Sequence, residues 1–372
     1  MRLARLAIAA LLIAAPAAPA RADVDAEVEH LIARELQPII PADGAGGIAV
    51  AVRIGGRTLF FNHGFADRAA KRPITSDSLF NLASLRKLFE VTVLAQAVQQ
   101  GELKFDDPVA RYVTELQQGG AIREVTFGQL ASHTSGLLLP TDHPPWPTKL
   151  YTFAEFIELL NAWQPEEGYW PGQRHRYTHA GYVLLAVALE RRFGQPIERL
   201  FQQRVLKPLG MTSTALPVRA PHRRGELAPE FLRRAVQGYS ERGEPMGAPG
   251  DQRGYYDFPG SGQMFSSTRD LALLLAAHLG EPPADPALRH AMLLTQQGLV
   301  HIEPRVMQAL AWEVNDYGGP IVVDKPGGLE NALTYLGLMP SRKVGIVILG
   351  NRGFNDPSSI ARQTLLPALA RF

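Results

Sequence analysis

The 372-residue chain has no cysteine. Disulfides, thiolate nucleophiles and cysteine-held zinc are therefore excluded, and the absence suits a protein that folds in an oxidising compartment without mispairing. Long apolar runs are also missing. The stretch Leu6 to Ala15 is too short to span a bilayer, and no later segment supplies a long one, so no membrane span is expected. Neither sign of charge dominates: 38 Lys and Arg stand against 36 Asp and Glu, and no large block carries one sign. Nothing in that balance points to nucleic acid or an anionic membrane as a partner. Internal repeats, low-complexity tracts and a linker between independent domains are absent too.

What is present begins with a leader. Arg2 and Arg5 precede the apolar run, and Pro16 to Ala22 closes on Ala20-Arg21-Ala22. A positive start, a short apolar centre and small residues at the end make a secretory signal over residues 1–22, with the mature chain starting at Asp23 in the periplasm. Losing Arg2, Arg5 and Arg21 takes the formal charge from +2 to −1, since no acid precedes Asp23. The remaining composition, 46% hydrophobic and 20% charged overall, is that of a folded globular protein expected to be monomeric.

Periodicity gives the elements. An amphipathic helix is expected near Val24 to Leu36. Ile48, Val50, Val52 and Ile54 alternate within Gly47 to Ile54, and Gly55-Gly56 then leads to Thr58-Leu59-Phe60-Phe61, which reads as a hairpin. A helix runs from Ser84 to a stop at Gly101, a short one starts at Asp106 to Val109, and Thr126 with Gln129 forms a capping box ahead of His133. A Pro-rich loop, Leu139 to Thr148, precedes a helix capped by Thr152 and Glu155 and reaching Trp163. Further helices are expected over Ala180 to Phe193, Leu271 to Leu279 (opened by Ser267 and Asp270) and Ser359 to Ala370. Leu216 to Gly262 reads as surface loop with one or two short strands. Period two returns in Ile321 to Lys325, Thr334 to Met339 and Val344 to Leu349. Strands at both ends and helices between them imply an α/β (α+β) fold, an antiparallel sheet flanked by helices with an inserted all-helical lobe. The expected division of the single domain 23–372 is an α/β lobe over 23–83 and 300–372 and a helical lobe over 84–299, with a cleft between.

Chemistry centres on Ser84 and Lys87. Three residues apart on a helix, they share a face. A serine hydroxyl needs a base or a nearby positive charge to act as a nucleophile, and Lys87 supplies either. Ser-x-x-Lys alone arises about once by chance in a chain of this length. Its force comes from two later motifs, Tyr177-Thr178-His179 and then Lys325-Pro326-Gly327-Gly328.

These three motifs resemble, in order, the Ser-x-x-Lys, Tyr-x-Asn and Lys-Thr-Gly of the serine β-lactamase and penicillin-binding protein family, in particular its class C β-lactamase branch. The resemblance covers nearly all of the mature chain. It includes His133-Thr134-Ser135-Gly136-Leu137, Pro171-Gly172, Lys207-Pro208-Leu209-Gly210-Met211, Gly262 to Thr268, Tyr335-Leu336-Gly337, Gly345 to Leu349 and Asn351-Arg352. It implies a serine β-lactamase-type fold, no required cofactor, and a small-molecule substrate that is a β-lactam or a cell-wall peptide. Ser84 would form the acyl-enzyme. Lys87 and Tyr177 would share the base work, with Lys325 favouring the phenolate and the three titrating together. The backbone N–H groups of Ser84 and Gly328 would form the oxyanion hole. His179, Gly327 and Arg352 would contact substrate. The same motifs serve D-alanyl-D-alanine carboxypeptidases, endopeptidases, esterases and non-hydrolytic penicillin-binding sensors, so these remain alternatives.

The departures are as informative as the matches. His179 stands where the family has Asn, and Pro326 replaces the Thr of Lys-Thr-Gly, removing a hydroxyl and a backbone N–H. Asp356-Pro357-Ser358-Ser359 replaces the usual Asn-Pro-x-Arg, which leaves Arg352 as the candidate to meet a substrate carboxylate. Finally, His175, Tyr177 and His179 alternate, so an extended loop would set both histidines on one side. With His143 or Asp142 they make a candidate zinc set, and with it a zinc-assisted carbapenem-hydrolysing member of the family.

Overall fold

Ile48, Val50, Val52 and Ile54 alternate with Ala49 and Ala51, giving the first strand one bulky face and one smooth face. In the computed structural model both faces are covered. It describes residues 21–372 apart from 221–222, 252–253, 259–261 and 354–355. The expected signal sequence therefore lies outside the described residues except for Arg21 and Ala22, which begin the first helix, Arg21–Leu36.

The described strands are β1 (Gly47–Ile54), β2 (Arg57–Asp67), β3 (Arg72–Pro73), β4 (Phe80–Ala83), β5 (Val218–Ala220), β6 (Arg223–Glu226), β7 (Gly262–Ser266), β8 (Val300–Glu303), β9 (Val306–Gln308), β10 (Glu313–Asn315), β11 (Val322–Leu329), β12 (Ala332–Met339) and β13 (Val344–Gly350). Among the described residues nine of them form one sheet in the order β3-β2-β1-β13-β12-β11-β10-β9-β8. Its pairings are antiparallel, and β1 lies directly against β13, so the two ends of the chain share the sheet as expected. Gly55 and Gly56 make the β1–β2 turn with φ of +54° and +73°, the left-handed values that a tight two-residue hairpin requires.

On the bulky face, Val28, Ile32 and Leu36 of the first helix and Leu365, Leu366 and Leu369 near the C-terminus close over Ile48, Val50, Val52, Ile346 and Ile348. On the smooth face, Ala49 and Ala51 let the helix Thr268–His278 approach β1 and β13. The helix Lys87–Gln99 is buried on every side from Lys87 to Ala97, and it packs against Pro286–Leu294, His179–Phe193 and Ile197–Phe201. Both capping boxes form, at Thr126/Gln129 and Thr152/Glu155. The segment at Asp106 to Val109 makes only a 3-10 turn, Val109–Arg111. The edge strands β8 to β10 and the helix Pro286–Leu294 had no expectation behind them. No described helix is long and apolar enough to cross a membrane.

Candidate active site

Ser84 is presented by a strained corner. Ala83 ends β4 with φ +47°, a value costly for a residue with a Cβ, and the chain then turns at once into the 3-10 turn Ser84–Arg86 and the helix Lys87–Gln99. β4 is held by β7, and Thr334 on β12 donates its hydroxyl to the Leu82 carbonyl at 3.1 Å. The corner thus rests on the sheet. Lys87, the first residue of that helix, is fully buried and donates to Ser84 Oγ at 3.2 Å.

Tyr177 arrives from a different part of the chain. The loop before it is laced to residues 133–134 by backbone bonds from Gly172 N–H to the Thr134 carbonyl and from Arg176 N–H to the His133 carbonyl, both 2.7 Å. Thr178 caps the helix His179–Phe193, accepting from Gly181 N–H at 3.1 Å. Asp142 reinforces that start: its carboxylate accepts from the N–H groups of His179 and Ala180 and from the Thr178 hydroxyl at 2.5, 3.1 and 3.1 Å. The result sets the Tyr177 hydroxyl 2.7 Å from Ser84 Oγ.

Two lysines flank the Tyr177 ring, with Lys87 Nζ 5.1 Å and Lys325 Nζ 4.9 Å from its centroid. Burial lowers Lys87 to about 8, against the pull of the Glu90 carboxylate, and Arg86 lowers it further while Asp142 raises it. A lysine near 8 exchanges protons in the neutral range, which suits general acid–base work. His179 packs edge-on to Tyr177 at 5.3 Å and is pushed down to about 3 by burial and by the two lysines, so it is a neutral imidazole here.

β11 forms the opposite wall. A Cβ on Gly327 would stand 2.9 Å from Ser84 N and 2.4 Å from Thr334 Oγ1, so glycine alone lets the strand approach the nucleophile's turn this closely. Gly328 is exposed, and a Cβ there would meet only the Ala332 carbonyl, at 4.0 Å. β10 pairs β11 only over Val322 to Asp324, leaving the edge beyond it without a partner strand. That open edge is where a strand tolerates Pro326.

The structure thus brings Ser84, Lys87, Tyr177, Lys325, His179 and Gly327 together. Arg352 is not among them: its guanidinium is held by Asp43 at 2.7 Å and by the Glu241 carbonyl. The candidate zinc set does not assemble either, and no group of three metal-ligating side chains occurs among the described residues. His175 Nε2 instead bonds Gln308 Oε1 at 3.0 Å, exposed His143 bonds the Pro144 carbonyl, and Asp142 is occupied as a helix cap.

One residue was missed. His133, fully buried at φ +55°, stacks on Tyr177 at 4.3 Å and on Tyr182 at 4.9 Å, and Thr178 N–H donates to its Nδ1 at 3.3 Å. Burial and the charges of Lys325 and Lys87 hold it well below the usual imidazole range. The signal was its place in His133-Thr134-Ser135-Gly136, a stretch that carries the family pattern without marking the histidine as part of the site.

Comparisons with known proteins bear on the family and the fold. A family model described as Beta-lactamase matches residues 24–370. A beta-lactamase of Pseudomonas fluorescens is 25% identical, the match covering 92% of this chain and 99% of the relative. Among solved structures, a class C beta-lactamase superposes with a TM-score of 0.79 at 22% identity, covering 93% of this chain and 96% of that one. A beta-lactamase/D-alanine carboxypeptidase from Pseudomonas syringae gives 0.78 at 24% identity, covering 93% and 99%.

Proposed function

We propose, for a chain that belongs to the beta-lactamase family of serine hydrolases, that it opens β-lactam rings through an acyl-enzyme on Ser84. The observation that carries the reading is the contact of one hydroxyl with two proton-handling groups, Ser84 Oγ with Tyr177 at 2.7 Å and Lys87 at 3.2 Å. Ser84 Oγ attacks the lactam carbonyl while its proton passes to the Lys87–Tyr177 pair. The backbone N–H groups of Ser84 and Gly328 take the oxyanion, the C–N bond breaks, and the same pair returns the proton to the departing nitrogen. Water then attacks the ester with that pair as base, and Ser84 is released. Lys325 adds positive charge beside Tyr177, and Gly327 and His179 line the acyl site.

A second reading is favoured by Pro326. Without the threonine hydroxyl, a substrate carboxylate loses a partner on β11, and Arg352 is engaged elsewhere. A D-alanyl-D-alanine carboxypeptidase or endopeptidase, an esterase or a non-hydrolytic penicillin-binding sensor would use the same serine. Carbapenem hydrolysis would rest on the serine centre, without zinc. The leader-like residues 1–22 support export to the periplasm, and we expect a monomer. The domain plan is a single unit over 23–372, in which the helix Thr268–His278 goes with the sheet because it packs on β1 and β13.

The test is intact mass of the mature protein after mixing with a carbapenem, a cephalosporin or a D-Ala-D-Ala peptide, with the remaining compound followed in the same tube. Consumption with a fleeting adduct supports the β-lactamase. A lasting adduct identifies a sensor, and peptide cleavage alone a peptidase. Ser84→Ala should lose both adduct and turnover while its circular dichroism is unchanged; turnover at the wild-type rate would sink the serine mechanism.

A further inference from the structure

Arg86 and Glu90 are both fully buried, and their charged groups meet at 3.0 Å. Neither has a well-formed hydrogen bond to the rest of the described protein. The Arg86 guanidinium lies 5.9 Å from the Phe201 ring centroid. A buried ion pair with so few protein partners is a poor stabilising device, since apolar residues of similar volume commonly serve as well or better. Its position suggests another use. Arg86 immediately precedes Lys87 and Glu90 stands three residues beyond it, so the pair brackets Lys87 within one turn of the helix that carries the nucleophile.

We propose that the Arg86–Glu90 pair is a positioning device that sets the charge of Lys87, and through Lys87 the activation of Ser84. The inference rests on the proposed role of Lys87 in handling the Ser84 proton. The two members act in opposite senses: the Glu90 carboxylate holds the proton on Lys87 and the Arg86 guanidinium drives it off, with Glu90 the stronger. The guanidinium cannot lose its proton, so ionised Glu90 is needed to balance it. The other charged or titratable groups around Lys87 come from different elements. Asp142 belongs to the Pro-rich loop, Tyr177, His179 and Tyr182 to the start of the helix His179–Phe193 and the residues before it, and His133 to the loop behind them; Lys325 faces Tyr177 from the other side. Removing one member of the pair leaves these in place and unbalances the field on Lys87.

A fluorophosphonate ester tests this without assuming a natural substrate, because it phosphonylates an activated serine with loss of fluoride. Labelling of Ser84 is followed by intact mass from acid to alkaline pH. The pH midpoint of labelling follows the loss of the Lys87 proton. Glu90→Gln should move it down and Arg86→Met up, each by about one pH unit, which is about tenfold in rate on the slope of the profile. The double variant should fall between them, and Arg86→Lys, which keeps the charge, should stay near wild type. A pair that merely held the fold would lower stability and leave the midpoint in place. Coincident midpoints, or single variants that shift the same way, overturn the proposal. If Arg86→Met is too unstable to purify, the comparison of Glu90→Gln with the double variant decides, because restoring charge balance should reverse part of the downward shift; no reversal counts against it. Wild type that takes no label, or Ser84→Ala that takes as much, rejects the serine reading instead. Wild type labelled at Ser84 with an indifferent midpoint rejects this inference alone.

Discussion

Asp142→Ala should cost both stability and rate, because one carboxylate joins the Pro-rich loop to the turn that delivers Tyr177. Asp142 accepts from Leu139 N–H at 2.8 Å, from His179 and Ala180 N–H at 2.5 and 3.1 Å, and from the Thr178 hydroxyl at 3.1 Å. Truncation leaves three backbone donors without their acceptor. A buried donor left unsatisfied costs about 1–3 kcal/mol, and loss of a helix N-cap alone about 0.5–2 kcal/mol. Water entering the vacated space repays part of this, so the net loss should be about 3 kcal/mol. In a protein of this size that lowers Tm by roughly 4 °C. The rate should fall further than the stability change explains, since Tyr177 lies two residues before His179 and sub-ångström placement governs its contact with Ser84. A displacement of about 1 Å at such a group costs on the order of a hundredfold in kcat/KM. Thermal unfolding by circular dichroism and acylation kinetics followed by mass, both well below the new Tm, separate the two effects. A variant that keeps wild-type Tm and acylation rate would refute the claim that this cap holds the site together.

Buried and substituted groups give two further expected outcomes. His278 is fully buried and pushed down to about 3 by burial, below its unfolded value near 6.5, so its contribution to stability is complete above about pH 6.5 and is lost as pH falls toward 3. At about pH 5 the loss is about 2 kcal/mol, so His278→Gln should flatten the fall in chemical-denaturation stability between neutral pH and about pH 5 by that amount; an unchanged slope would count against it. Pro326→Thr should return a hydroxyl to the open edge of β11 and raise kcat/KM for a carboxylate-bearing cephalosporin by about tenfold, the value of one hydrogen bond to a charged group. A smaller gain is expected on a carboxylate-free ester, and no gain on either would show that Pro326 is not what limits carboxylate recognition.

What could be read from the chain and what could not divide along the range of the interactions. The β1–β2 hairpin, the capping boxes at Thr126 and Thr152 and the Ser84/Lys87 pairing are local: two glycines, a hydroxyl three residues before a Gln or Glu, and one helical turn determine them. Tyr177 and Lys325 lie far from Ser84 in sequence and were legible only through the order of motifs shared with a known family. Asp142 and Glu90 had no such marker, and the family stretch around His133 did not single the histidine out, since each acts through atoms that only the folded chain brings near. The zinc expectation failed for a related reason. Alternation says nothing of competing partners: His175 bonds Gln308, far along the chain, and Asp142 is taken up by the start of the helix His179–Phe193. The strands β8 to β10 were missed because they are short and their outward positions are polar, as at His301 and Glu303. Their role nonetheless reaches the site. β10 stops pairing at Asp324, and where it stops, the free edge of β11 begins, with Lys325, Pro326, Gly327 and Gly328 along it. An edge left open by a neighbour that ends early keeps β11 unpaired beside Ser84, and it is also what makes a proline tolerable in a strand that otherwise reads as central.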